Sequence, residues 1–163
     1  MTESGNNPAA WTGDETAAWT GLVRSSQNLI QSVEAALKKS GLPPLTWYDV
    51  LWELEKARPT GLRLNDLGSR VLLDKYNVTR LVTRLEKEGL ARREMCPGDA
   101  RGVIALITPR GARLRKRMWP VYSRTVRDEF FSRLTPRETA SLKKLLARVS
   151  DEPSAPGPVS KSD

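Results

Sequence analysis

The chain has 163 residues, of which 39% are hydrophobic and 28% charged, which is typical of a globular protein with one domain and flanking arms. It contains no histidine and one cysteine, which excludes a Ser-His-Asp triad, a histidine-ligated zinc site and an internal disulfide bond. The N-terminus lacks a secretory signal, and no apolar run approaches the roughly 20 residues of a membrane helix. A cytoplasmic protein is therefore expected.

The formal net charge is +8, and one segment carries all of the excess. Residues 61–117 contain 14 Lys or Arg and 6 Asp or Glu, a net of +8, whereas the rest of the chain holds 13 of each. A generally basic protein would spread this charge along its length. A local basic module between neutral arms instead indicates a surface for an acidic partner, with nucleic acid as the first candidate.

Two helices are predicted in the first third of the chain. Apolar residues at helical spacing predict a helix from about Asp14 to Lys39, which a glycine and two prolines end. Thr46 is predicted to cap a second helix at 47–57, with Asp49 as the acid of a capping box.

Two short helices in tight succession come next. Asn65 is predicted to cap a helix that runs to about Leu72. Asp74 is the predicted N-cap of a helix at 75–88, which Gly89 ends in the left-handed conformation.

Alternating residues then predict strands. A short fragment at 62–64 precedes the helix pair, and a hairpin follows it, with strands at 90–95 and 103–107 joined by a turn at 97–102. Two short helices followed by a hairpin indicate a winged helix-turn-helix. The predicted fold class is mainly α with a small β-hairpin wing.

The C-terminal part predicts two more helices. Thr108 should cap a helix from Pro109 to about Arg133, with a kink at Pro120, and a last helix should span 136–149. These helices carry more apolar surface than a small lobe covers, which favours pairing with a second copy, although a larger monomeric core is the alternative. The residues expected in that interface are Trp119, Tyr122, Val126, Phe130, Phe131, Leu142, Leu145, Leu146 and Val149.

The helix at 75–88 has two contrasting faces. Val78, Leu81, Val82 and Leu85 form one apolar stripe. The residues predicted to contact DNA are Lys75, Tyr76, Asn77, Thr79, Arg80, Thr83 and Arg84. Arg can bond guanine, Asn can bond adenine, and Thr or Tyr can touch a thymine methyl or a phosphate, so this face is predicted to read the major groove. The alternative is an ordinary charged outer face.

The stretch 62–111 resembles the central domain of the multiple antibiotic resistance regulator (MarR) family. The similarity includes TWYDVLWELE before it and MWPVY after it, so it covers roughly residues 42–149. The resemblance implies a homodimeric transcriptional regulator, usually a repressor. Two-fold symmetry of such a dimer then predicts a near-palindromic DNA site with half-sites about 34–36 Å apart. It also implies that Asp99 braces Arg101 at the minor groove, although Ala100 stands where the family is often basic.

The resemblance further implies a small phenolic or anionic effector. No metal and no other cofactor are expected, because the chain has no histidine and no metal-binding cluster. The residues placed near such a pocket are Trp47, Asp49, Trp52, Arg92 and Arg93, for which plain packing or ion pairing is the alternative. A peroxide-sensing branch of the family uses a cysteine near the dimer helices. Cys96 lies at the start of the wing instead, so that match fails.

The predicted organisation has five parts. They are a flexible lead at 1–13, an N-terminal dimerisation helix within 14–45, a DNA-binding lobe at 46–108, C-terminal dimerisation helices within 109–149 and a disordered tail at 150–163. The competing functions are an architectural DNA-binding protein without sequence preference and a winged helix that binds protein. An enzyme is not expected, because the chain shows no catalytic cluster or phosphate-binding loop.

Overall fold

The computed structural model describes residues 10–71, 75–96 and 99–150. Its elements are α1 Gly13–Lys39, α2 Leu45–Lys56, β1 Leu62–Arg63, α3 Leu64–Arg70, α4 Lys75–Lys87, β2 Ala91–Cys96, β3 Asp99–Ile107, α5 Pro109–Glu129, a 3-10 turn Phe131–Arg133 and α6 Pro136–Val149. The predicted fold class, mainly helical with a small wing, is confirmed. The chain forms two compact units, Met1–Thr125 and Val126–Asp163.

The first two helices start differently from the prediction. α1 begins at Gly13 because Thr12 and Glu15 form a capping box, in which each side chain accepts the other residue's backbone N–H, at 3.1 and 2.7 Å. The predicted cap of α2 at Thr46 is wrong, since the helix already begins at Leu45. The Leu45 N–H donates to Oε1 of Glu34 on α1 at 3.0 Å, so a tertiary contact replaces the local cap.

The helix pair of the lobe is confirmed, with shifted ends. α3 follows β1 directly, so Asn65 lies in its first turn and not at the N-cap, and the helix ends at Arg70, before the predicted Leu72. α4 matches its predicted span to within one residue, and Gly89 has a φ of 68° as expected. The predicted cap at Asp74 lies outside the described residues.

The sheet is antiparallel, with β3 between β1 and β2. β3 begins at Asp99, four residues before the predicted start, and Asp99 pairs with Cys96 across an irregularity in register. The predicted turn at 97–102 is therefore too long, because cross-strand pairing overrides local glycine and proline signals. Only 97–98 separate the two strands, and these lie outside the described residues.

The core of the first unit fixes both α4 and the start of α5. Buried side chains of α2, α3, α4 and the sheet form one cluster. The Thr108 hydroxyl accepts the Gly111 N–H at 3.1 Å, as predicted for an N-cap, and donates to the Gly89 carbonyl at 2.7 Å. A Cβ on Gly111 would lie 2.1 Å from the Leu90 carbonyl oxygen. The end of α4 and the beginning of α5 are thus held in direct contact.

Of the two C-terminal helices, α6 has the predicted span of 136–149, whereas α5 is shorter than predicted. α5 runs through Pro120 and ends at Glu129, four residues before the predicted end, and the 3-10 turn follows. Thr135 and Glu138 form the capping box of α6. No helix in the described stretches is long and apolar enough to cross a membrane.

Candidate nucleic-acid interface

One face of α4 is locked into the lobe. Val78, Val82 and Leu85 are fully buried, and Leu81 packs half-buried against the same core. Because a helix that buries one stripe must turn the opposite side outward, Arg80 and the residues beside it face solvent. The predicted stripe is confirmed, and the outward face belongs to a helix that is anchored in the core.

A groove of about 690 Å³ runs between this face and the N-terminus of α2, and we call it the recognition groove. Its lining residues are Pro44, Thr46, Trp47, Asn77, Thr79, Arg80, Leu81, Thr83, Arg84 and Lys87. This lining, which lies wholly in the described part of the chain, includes three cationic side chains and no carboxylate. Five of the predicted DNA-contacting residues are therefore brought together on a positively charged surface.

Arg84 lies over the ring of Trp47, a residue predicted from the sequence for an effector pocket. Its guanidinium carbon lies 5.4 Å from the centre of the Trp47 ring, within the range of a cation–π contact. Trp47 is only 9% exposed, so the ring is fixed by packing. The contact restricts the rotamers of Arg84 before any partner arrives, and nothing in the spacing of the two residues signals it.

Arg93 braces α4 from the wing. Its guanidinium forms a 2.6 Å ion pair with Glu86 and a 3.3 Å hydrogen bond to the Thr83 hydroxyl, which itself donates to the Thr79 carbonyl at 2.8 Å. The Arg93 hydrogen bond holds the pKa of Glu86 below its ordinary value. Thr83 and Arg93 thus orient the helix through bonds within the protein.

The five residues predicted for an effector pocket are divided by the structure. Only Trp47 lines the recognition groove. Arg92 pairs with Glu94 at 2.9 Å on the exposed side of β2, and Arg93 pairs with Glu86 of α4 as described above.

Trp52 and Asp49 lie on α2, toward α5 and α1. The Arg115 guanidinium, which is also paired with Glu55, lies 4.9 Å from the centre of the Trp52 ring. Burial, followed by repulsion from Glu34 and Glu53, raises the pKa of Asp49 to about 6. A role of these two residues in effector binding stays a prediction.

An aromatic cluster joins α2 to α5. Tyr48 stacks on Trp119 at 6.2 Å between ring centres and meets Tyr122 edge-on at 5.0 Å. Burial raises the pKa of both tyrosines. Trp119 and Tyr122, predicted to face a second chain, are therefore partly covered within their own.

Four predicted contact residues fall outside what the structure describes. The side chains of Lys75, Tyr76, Asp99 and Arg101 lie outside the described residues, although the backbone places 75–76 on α4 and 99–101 on β3. Among the positions that are described, no group of three metal-binding side chains occurs.

Comparisons with known proteins agree with this geometry. The MarR family model matches residues 40–102. The chain is 31% identical over 128 residues to the HTH-type transcriptional regulator MhqR of Bacillus subtilis, a match that covers 78% of this chain and 86% of that protein. It is 35% identical over 87 residues to the HTH-type transcriptional regulator YkoM of the same species, covering 53% of this chain and about half, 56%, of YkoM.

A solved structure shows the same architecture. Sco3205, a MarR family transcriptional regulator from Streptomyces coelicolor in complex with DNA, superposes with a TM-score of 0.81 at 29% identity. The superposition covers 91% of this chain and 94% of that one. The helix pair, hairpin and flanking helices described above are thus those of a winged-helix regulator.

Proposed function

Because this chain belongs to the MarR family of transcriptional regulators, we propose that it is a homodimeric, sequence-specific DNA-binding regulator that acts in the cytoplasm. The observation that carries the proposal is the outward face of α4, which presents Asn77, Arg80 and Arg84 from a fixed core along a groove without carboxylates. In this account α4 enters the major groove. The wing at Asp99 and Arg101 approaches the minor groove.

The chemistry of that face suits base reading together with phosphate binding. Arg80 is exposed and can donate two hydrogen bonds to guanine, and Asn77 can pair with adenine in the same manner. Lys87, the last residue of α4 and about three turns from its N-terminus, suits a phosphate. Positive charge at the groove strengthens binding to any duplex, and the hydrogen-bonding groups add a preference for particular base pairs.

Exposed apolar residues support the dimer. α1 leaves Trp19, Leu22 and Ile30 about half exposed, and in the second unit α6 leaves Leu145 and Val149 exposed to a similar or greater extent. Exposed large apolar side chains that recur along a helix are typical of subunit interfaces. A two-fold dimer presents two copies of α4, which predicts a near-palindromic site with half-sites about 34–36 Å apart.

The proposed action is repression relieved by a small phenolic or anionic effector. A dimer that covers its operator prevents other proteins from using the same DNA. An effector that favours a different spacing of the two lobes would release it, because a ligand shifts a protein toward the state it binds more tightly.

The experiment is selection of bound sequences from a random duplex pool at about physiological salt. We expect a near-palindrome, with binding much tighter to it than to scrambled DNA of the same composition. Uniform recovery of all sequences would contradict sequence-specific recognition and would support an architectural DNA-binding protein instead.

A further inference from the structure

The first part of α5 carries a run of positive charge. The helix contains seven Lys or Arg residues before its first carboxylate, Asp128. Three of them, Arg110, Arg113 and Arg117, are spaced at i, i+3 and i+7, so they share one face of the helix, and we call them the arginine row. All three are exposed, and they line one cleft with the start of α2. The function proposed above assigns no role to this row.

The charges of the row are not neutralised within the described part of the chain. Arg115, on the opposite side of α5, is buried and paired with Glu55. No ion pair among the described residues involves Arg113 or Arg117. Glu88 is the single carboxylate that lines the same cleft, so three guanidinium groups against one carboxylate leave a formal charge of +2. This charge is available to an acidic partner.

The row continues the positively charged surface of α4. Arg84 and Lys87 line the recognition groove, and Trp47 lines both that groove and the cleft beside the row. A duplex that receives α4 in its major groove has a phosphate strand along each edge of that groove. In this arrangement one strand runs on the side of the recognition groove where Trp47 and the row lie.

The spacing within the row suits a phosphate strand. Arg113 and Arg117 are one helical turn apart, about 6 Å along the axis of α5, which is close to the distance between successive phosphates of one DNA strand. Each guanidinium can donate two parallel hydrogen bonds to a phosphate. Arg110 is held nearer the protein, since its Nη1 lies 3.8 Å from the position that a Cβ of Gly89 would take. Arg113 and Arg117 are therefore the better placed pair.

We infer that Arg113 and Arg117 form a second DNA-binding surface, which holds the sugar-phosphate backbone of the duplex that α4 reads. This surface contacts no base edge, so it strengthens binding to every sequence and adds no preference. The phosphates that it neutralises release counterions, which makes binding depend more steeply on salt. The inference rests on the proposed function, because it needs α4 in the major groove.

The first test is the salt dependence of DNA binding, measured by fluorescence anisotropy of the full chain on the selected duplex and on a scrambled one. The double variant Arg113→Gln/Arg117→Gln should weaken binding to both duplexes by the same factor. The slope of log affinity against log salt should become shallower by about 2, from roughly 0.9 for each phosphate. Equal slopes in the wild-type chain and the double variant would overturn the second surface.

The matched control is Arg124→Gln/Arg127→Gln. It removes the same charge from exposed positions of α5 outside the cleft, so the slope should stay as in the wild-type chain. A slope that falls equally in both double variants would show a general effect of net charge and would overturn the assignment to the row. Thermal unfolding checks that both variants are folded.

Ethylation of single phosphates locates the contact. Some phosphates should weaken binding of the wild-type chain when ethylated and leave the double variant Arg113→Gln/Arg117→Gln unaffected. These phosphates should lie next to those whose ethylation weakens both proteins. If the two proteins show the same set of phosphates, the arginines make no direct contact with the backbone, and the inference is overturned.

Glu88 tests the same surface with the opposite sign. Glu88→Gln removes the carboxylate of the cleft and should tighten binding to both duplexes by about twofold to fivefold. Asp128→Asn, at an exposed carboxylate of α5 outside the cleft, should leave the affinity unchanged. Unchanged or weaker binding by Glu88→Gln would contradict a phosphate strand at the row.

Failure of this inference is distinguishable from failure of the proposed function. If selection recovers no preferred sequence, the sequence-specific function fails, and the slopes on the scrambled duplex still decide whether the row binds DNA. If a near-palindrome is recovered and the two double variants behave alike, the second surface is overturned and the proposed function stands.

Discussion

Arg93 on β2 holds Glu86 on α4 at two points. Its guanidinium Nη2 lies 2.6 Å from Glu86 Oε2, and its backbone N–H donates to Glu86 Oε1 at 3.0 Å. The same guanidinium reaches the Thr83 hydroxyl. The wing strand therefore fixes α4 through a polar brace, in addition to the apolar stripe that anchors the helix to the core.

The brace predicts a stability difference between two adjacent arginines. Arg93→Ala should lower the free energy of unfolding by about 1 kcal/mol. This is the upper end of the range for a partly exposed ion pair, because Arg93 also makes additional hydrogen bonds. Arg92→Ala, whose pair with Glu94 is more exposed, should lower it by less than about 0.5 kcal/mol. Urea denaturation at pH 7 measures both, and equal losses would contradict the brace.

The brace also predicts a pH dependence. The pKa of Glu86 is lowered in the folded chain, so its stabilising contribution is present above the ordinary value of 4.5 and is lost as pH falls through the lowered value. Glu86→Gln should therefore be less stable than wild type at pH 7, and the gap should close in acid. A gap that is the same at pH 7 and pH 3.5 (on the order of one unit below the ordinary pKa) would argue against an ionic contribution.

Asp49 predicts the opposite dependence of stability on pH. Its pKa is raised from 3.8 to about 6, so the folded chain binds this proton more tightly than the unfolded chain, and stability is lost as pH rises from about 4 to 6. Asp49→Asn should raise the free energy of unfolding at pH 8 by about 1–2 kcal/mol, allowing for partial solvent screening, with little gain near pH 4. Asp128→Asn, at an exposed carboxylate of α5, is the matched control. A variant that is equally destabilised at both pH values would contradict the assigned cause.

Gly111 tests the contact between the end of α4 and the start of α5. An alanine Cβ would lie 2.1 Å from the Leu90 carbonyl oxygen, so Gly111→Ala should destabilise the chain by about 1–3 kcal/mol through overpacking. Gly21→Ala, on α1 with open space around its Cβ position, should instead stabilise by about 0.5–1 kcal/mol. Thermal unfolding separates the two, and a stabilising Gly111→Ala would show that the two helices are not in close contact.

Two cations of α4 should behave differently on DNA. Arg80→Ala should lose about 1–3 kcal/mol mainly on the selected site, as a base-reading residue does. Lys87→Ala should weaken binding to all sequences alike and reduce the slope of log affinity against log salt by about 1. Fluorescence anisotropy on selected and scrambled duplexes measures both. An Arg80 loss that is the same on scrambled DNA would assign that residue to the phosphate backbone.

Local signals in the sequence were sufficient for the elements that depend on neighbours in the chain. The stripe of α4, the left-handed Gly89 and the cap at Thr108 all follow from spacing and capping chemistry within a few residues. The start of α2 could not be predicted, because the group that satisfies Leu45 comes from Glu34 on another helix.

In the candidate DNA interface too, the features set by neighbours in the chain could be predicted, and those set by tertiary contacts could not. Periodicity identified the outward face of α4, including Arg80, because burial of one stripe determines the other side. The contact between Arg84 and Trp47 and the brace by Arg93 join residues 37 and 7 or 10 positions apart, and no local pattern encodes them. The sequence predicts Trp47 and Arg93 for an effector pocket, which stays a prediction, and the structure places both in contact with residues of α4.

The most direct test of the central claim is a hydroxyl-radical footprint of the full chain on the selected duplex. Two copies of α4 related by a two-fold axis should protect two patches on one side of the helix, centred about 34–36 Å apart. Arg80→Ala should weaken both patches equally. A single protected patch, or protection without fixed position, would contradict a symmetric dimer that reads DNA with α4.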